Sequence, residues 1–117
     1  MKTYDIQLSE PAENEIDALI LRQARFSTES ADRLHEGLLS AFRSLAQMPG
    51  RCALAPENEM FDREVCQLIY RHGAVVYRIL FCIFEDREDE SAFVSILRVR
   101  HGAQQTLGRH TDQESDL

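Results

Sequence analysis

No stretch of this sequence is apolar enough to cross a membrane. A membrane-spanning helix needs about eighteen consecutive apolar residues, and no run here approaches that length. The first residues, Met-Lys-Thr-Tyr-Asp-Ile, also lack the apolar segment of a secretory signal peptide. We therefore expect a cytoplasmic protein that makes no membrane contact.

Cysteine is scarce, and neither cysteine nor histidine is spaced for metal binding. The residues concerned are Cys52, Cys66, Cys82, His35, His72 and His110. An odd number of cysteines without a CxxC pair fits a reducing compartment, where we expect them to be small buried residues. The histidines have no paired ligand spacing either. We therefore expect neither a metal nor another cofactor.

Charge is plentiful but unevenly distributed. The formal net charge is −7, and residues 85–90 contain one basic and five acidic groups. Residues 91–110, in contrast, carry three basic groups and no acidic one. The overall field of an acidic protein opposes long-range capture of nucleic acid, whereas the basic segment can meet an anion locally. The charge pattern counts against a strong non-specific nucleic-acid binder.

The length of 117 residues suits a single domain, which we assign to residues 1–108, followed by a polar tail over residues 109–117. Tyr4, Ile6 and Leu8 alternate with polar residues, which predicts a short first strand with one buried face. Ser9 is the expected N-cap of a first helix over about residues 10–26. This start predicts a strand that leads directly into a helix.

A second apolar stripe at helical spacing follows the first. Ser27 or Thr28 begins this helix, and the stripe extends to Met48. Pro49 and Gly50 then stop it. We expect the two helices to form an antiparallel hairpin that lies on a sheet.

The rest of the chain predicts three strands. We expect the second strand over Glu64 to Arg71 and the third strand over Ala74 to Phe84. A turn at His72-Gly73 joins them. The third strand is apolar on both faces and should be central. A charged hairpin loop over residues 85–92 leads to a last strand, Phe93 to Arg100. The order is β-α-α-β-β-β, an α+β fold in which a helical hairpin packs on a small antiparallel sheet.

Arg78 interrupts the apolar third strand. A buried guanidinium without a partner is costly, so Arg78 either pairs with an acid or faces a groove open to solvent and ligand. With the turn at residues 72–73, Arg78 is expected to face Gln67. Both interpretations remain open from the sequence.

The last strand ends in a cluster of cations, Arg98, Arg100 and His101, before Gly102 breaks it. Guanidinium groups hold phosphate or carboxylate through paired hydrogen bonds, and imidazole exchanges protons near neutral pH. Arg98 and Arg100 share strand parity, opposite to that of His101. The cluster predicts an anion-handling site that Arg78 joins if the two strands are neighbours.

Four segments of the chain are similar to the RelE/ParE superfamily of bacterial toxins from type II toxin–antitoxin modules. Residues 4–12 match the opening strand and helix start of the family, and residues 45–50 match a helix end. Residues 76–81 match its Tyr-Arg strand, and residues 96–102 match its closing strand with the terminal histidine. The resemblance covers about residues 4–105. It implies the fold described above and a role in plasmid stabilisation or growth inhibition.

The resemblance implies one of two activities. RelE-like members are metal-independent ribonucleases that cut messenger RNA on the ribosome; Arg78 would then stabilise the scissile phosphate and His101 would exchange the proton. ParE-like members act on DNA gyrase and block replication. The binding residues expected on this surface are Tyr77, Arg98, Arg100 and Gln104.

Departures from the ribonuclease pattern favour the gyrase-directed interpretation. Lys2 is the only lysine, and Ala103 and Gln104 stand where many members carry a basic residue. The resemblance also implies a cognate antitoxin whose disordered segment folds on the toxin. The alternatives are the ribonuclease and a non-toxic module that retains only antitoxin binding.

Overall fold

Two helices pack on one face of a four-stranded sheet. The computed structural model of the chain describes residues 3–85 and 91–102. The elements, in chain order, are β1 (Asp5–Leu8), α1 (Glu10–Ala24), α2 (Thr28–Ser44), β2 (Cys66–His72), β3 (Val75–Glu85) and β4 (Ala92–His101). Two short 3₁₀ turns, Pro49–Arg51 and Pro56–Met60, lie between α2 and β2. The predicted α+β class and the element order are confirmed.

The sheet is mixed rather than wholly antiparallel. Its strand order is β1-β4-β3-β2, in which β1 runs parallel to β4 while the other two pairs are antiparallel. A parallel pair needs a long crossover, and the helices together with β2 and β3 supply it. The prediction of an antiparallel sheet was wrong for β1. The central position predicted for the third strand is confirmed.

Both helices begin at the predicted caps. Ser9 Oγ accepts from the Ala12 amide at 3.2 Å, and Ser27 Oγ accepts from the Ser30 amide at 3.1 Å. The second helix ends at Ser44, however, and Met48 adopts a left-handed conformation with φ 50°. The prediction that helical structure extends to Met48 was wrong. The Arg51 guanidinium donates to the Gln47 and Met48 carbonyls and so satisfies acceptors beyond the helix end.

The core lies between the helical hairpin and the sheet. Its largest fully buried side chains include Leu34, Leu38, Leu45, Ile79, Phe81 and Ile96. Burying a side chain of this size contributes about 1.5–3 kcal/mol. Cys66 and Cys82 are buried, Cys52 is half-buried, and burial raises the pKa of all three thiols. Among the described residues, no helix is long and apolar enough to cross a membrane.

The turn between β2 and β3 lies one residue later than predicted. His72 pairs with Val75, so Gly73 and Ala74 form the loop, and Gly73 has φ 60°. A type II′ turn needs positive φ at its first loop position, which glycine accepts. Arg78 therefore lies opposite Ile69, and the predicted pairing with Gln67 was wrong.

Gly37 leaves room on α2 for a side chain of the sheet. A methyl group at position 37 would overlap the hydroxyl of Tyr70 on β2. Glycine inside a helix is otherwise less stable than alanine by about 0.5–1 kcal/mol. At this position the close approach of α2 and β2 requires glycine.

We expect Gly37→Ala to lower the free energy of unfolding by about 1–3 kcal/mol, because Tyr70 must move. In a Tyr70→Ala background the same change should instead raise it by about 0.5–1 kcal/mol. Denaturant unfolding of the four proteins in this cycle measures both effects. Gly50→Ala is the control, since no atom lies within 4 Å of its added methyl group. Equal effects in both backgrounds would contradict the overlap.

Candidate functional site

A one-residue bulge in β4 sets the face on which its arginines lie. Leu80 pairs with Arg98 and Phe81 with Ile96, so Leu97 is the additional residue. A shift of one residue moves every later side chain to the other face. Val99 therefore continues the core beside Ile79, and Arg100 pairs with Arg78 on the face away from the helices.

Arg78 is held by a carboxylate from the segment before β2. Its guanidinium donates to Glu57 through two hydrogen bonds, Nη1 to Oε1 at 3.0 Å and Nη2 to Oε2 at 2.7 Å. Nη1 also donates to Gln67 Oε1 at 3.2 Å. Glu57 is fully buried, and the Arg78 side chain is 12% exposed. Of the two interpretations of Arg78 from the sequence, the structure shows the paired one.

Arg98 is held by α1. Its Nε and Nη2 donate to Glu15 Oε2 at 3.0 and 2.8 Å, and the Val99 amide donates to Glu15 Oε1 at 2.9 Å. Beyond Ile96 the pairing with β1 has ended, and this carboxylate covers the strand edge that remains. Ser9 Oγ donates to the Leu97 carbonyl at 2.8 Å, which fixes the bulge against the start of α1.

Tyr77 and His101 form a pair on the helix side of the sheet. Their ring centroids are 5.8 Å apart with an edge-to-face geometry, and Tyr70 stacks on Tyr77 at 6.4 Å. Burial raises the pKa of Tyr77, the nearby Tyr70 adds to the rise, and the positive charge of Arg22 opposes it. The phenol of Tyr77 therefore remains protonated at physiological pH.

The structure divides the predicted site residues between the two faces. Arg78 and Arg100 are neighbours on one face, and Arg100 is only 3% exposed. Tyr77 and His101 lie opposite each other on the other face. Arg78 and His101, the pair that the ribonuclease hypothesis requires, thus lie on opposite faces of the sheet. Gln104 falls outside the described residues. The functional roles of all six residues remain predictions.

Nothing in the sequence indicated that Glu57 and Glu15 would bind the arginines of the sheet. Each contacts an arginine distant along the chain, with separations of 21 and 83 residues. Glu57 is one of many acids in an acidic chain, and Glu15 precedes a buried helix position without altering the helical pattern. Only the unusual place of Arg78 in an apolar strand indicated that an acid was required.

A separate open pocket of about 570 Å³ lies between the helical hairpin and the β2–β3 turn. Gln23 Nε2 donates to Ser30 Oγ at 2.9 Å, and Ser30 Oγ lies 3.4 Å from His72 Nε2. These bonds join α1, α2 and the end of β2. Within the described part of the chain, no group of three or more acidic, cysteine or histidine side chains is arranged to bind a metal ion.

We expect Glu57→Gln to lower the free energy of unfolding by about 3 kcal/mol or more, because Arg78 would keep a largely buried charge without its carboxylate. Glu29→Gln is the matched control, since its bond to Arg33 is exposed, and it should cost under about 0.5 kcal/mol. Urea unfolding of both variants checks this. Similar small losses would show that the buried pair does not order the segment.

The comparison with protein families agrees with this fold. The profile of the ParE toxin of the type II toxin–antitoxin system parDE matches residues 6–106, which include every described strand and both helices except Asp5 at the start of β1. A comparison with curated protein sequences gave no significant match. The match covers most of the chain, from the first strand to beyond the strand end that carries Arg100 and His101. The chain therefore belongs to the ParE toxin family of type II toxin–antitoxin systems.

Proposed function

We propose that this toxin inhibits DNA gyrase and is neutralised by a cognate antitoxin. The family match supports the toxin role and the antitoxin. The choice of gyrase over messenger RNA rests on the surroundings of Arg78.

The bonds between Arg78 and Glu57 are the observation that carries the proposal. A ribonuclease of this fold needs a guanidinium that can bind the scissile phosphate, and paired hydrogen bonds would be its means. Here Glu57 accepts through both carboxylate oxygens from both terminal nitrogens of Arg78. A phosphate would have to displace a buried carboxylate and would also meet its negative charge. The arrangement supports a toxin that acts by contact with a protein.

Exposed apolar side chains support binding of the antitoxin. Leu54, Met60, Phe61 and Ile69 are 39–59% exposed on or beside the segment that carries Glu57. Ile69 also lies on β2, the last strand of the sheet. An antitoxin segment that folds on the toxin would cover such side chains. In its absence we expect the chain to associate with itself at high concentration.

The first test is controlled production of this chain alone in bacterial cells. We expect filamentous cells with a DNA-damage response, because a gyrase inhibitor blocks replication without stopping protein synthesis. Microscopy with pulse-labelling of new protein and new DNA separates the two processes. Purified gyrase should then lose supercoiling activity when the chain is added. Early arrest of protein synthesis without filamentation would contradict the proposal.

We expect the variant His101→Ala to remain toxic, because gyrase inhibition requires no proton transfer by this imidazole. A ribonuclease would lose about 10²-fold or more in rate on losing its acid or base. Growth of cells producing the variant, with equal protein levels confirmed, measures this. Normal growth together with loss of messenger cleavage on ribosomes would instead establish the nuclease. Normal growth with the unchanged chain would leave a non-toxic module.

A further inference from the structure

The tip of the helical hairpin exposes large apolar side chains. We define the tip as Leu21, Arg22, Arg25 and Phe26, at the end of α1 and the start of the connection to α2. Phe26 is 82% exposed and Leu21 is 67% exposed, the two highest values among the large apolar residues of the described chain. Neither side chain contributes to the core, so the fold itself gives no reason for their size.

The tip is also positively charged. Residues 18–28 contain Arg22 and Arg25 and no acidic residue. Within residues 3–85 and 91–102, neither arginine forms an ion pair, whereas Arg33, Arg78 and Arg98 each bond a carboxylate. The tip therefore offers cations that are not already neutralised by a neighbouring acid.

Arginine beside an exposed aromatic residue is typical of the few side chains that dominate a protein–protein interface. Arg22 lies on the last turn of α1, Arg25 is the C-cap of the helix, and Phe26 follows it, so both arginines lie within four residues of both apolar side chains. Because the protein carries a net charge of −7, an acidic partner is repelled over most of its surface. The tip is a local exception to that repulsion.

We propose that the tip is the surface by which this toxin docks on its target protein, and that the target presents an apolar pocket bordered by acidic side chains. The proposal rests on gyrase being the target. The sheet arginines Arg78 and Arg98 are less suited to this contact, since Glu57 and Glu15 already accept their hydrogen bonds. The tip arginines can form new bonds with a partner without breaking an internal ion pair.

The test compares binding of two double variants to purified gyrase, with the proteins made by cell-free translation to avoid toxicity. Phe26→Ser with Arg25→Ala should weaken binding by about 30-fold or more, as expected for the loss of dominant interface residues. Arg43→Ala with Met48→Ser is the matched control, because it removes an exposed arginine and an exposed apolar side chain at the opposite end of α2. The control should change binding by no more than about twofold.

The acidic character of the partner is tested with Arg25→Glu. This variant should bind more weakly than Arg25→Ala at low salt, and the difference should shrink as salt screens the charges. Arg25 is exposed and forms no ion pair in the described chain, so Arg25→Ala should unfold at the temperature of the original protein. Arg25→Glu should unfold slightly below it, because it places an anion at the C-cap of α1. Circular dichroism measures both unfolding temperatures.

The outcomes separate this proposal from the proposed function. If the original protein binds gyrase and the tip variant binds equally well, the tip proposal is overturned and the gyrase assignment stands. If the tip and control variants lose the same affinity, the tip is not the docking surface. If the original protein does not bind gyrase, both proposals are overturned.

Discussion

The bulge at Leu97 lets the last strand contribute side chains both to the core and to a charged surface. Ile96, Arg98 and Arg100 alternate as if they shared one face, and a regular strand would direct both arginines into the helix-facing core. One additional residue moves Arg100 to the other face and places Val99 in the core instead. Ser9 and Glu15 bind the backbone at and just beyond the bulge. The start of α1 and the irregularity of β4 therefore form a single structural unit.

The arginines that reach the sheet surface are then held by acids from separate segments. Glu15 belongs to α1 and Glu57 to the irregular connection before β2, and each carboxylate binds its arginine through more than one hydrogen bond. The Arg78–Glu57 pair is largely out of water. A pair of this kind adds little net stability, but breaking it is costly. Such a pair therefore orders the segment that supplies the acid. This explains how the connection before β2, which has few regular backbone bonds, keeps one position on the sheet.

The sequence predicted features that depend on neighbouring residues. Ser9 and Ser27 cap helices through amides three residues away, and the apolar run around Ile79 indicates a central strand whatever its partners. The pairing of β1 with β4, the bulge at Leu97 and the acids bound to Arg78 and Arg98 all join distant parts of the chain. Register and ion pairing of this kind leave no periodic pattern. Arg78 was a partial exception, because burying an unpaired guanidinium in an apolar strand costs free energy, which indicated that it needed a partner.

The position of Glu57 affects what Arg78 can bind. A carboxylate and a phosphate present similar oxygen pairs to a guanidinium fork, so they compete for the same nitrogens of Arg78. Binding a phosphate there would break both hydrogen bonds between Arg78 and the fully buried Glu57, at a cost of several kcal/mol. Under the proposed function, this one acid in the connection before β2 keeps Arg78 from binding a phosphate. We expect recognition to use surfaces whose charges have no ion-pair partner among the described residues, and Arg22 and Arg25 at the tip of the helical hairpin have this property.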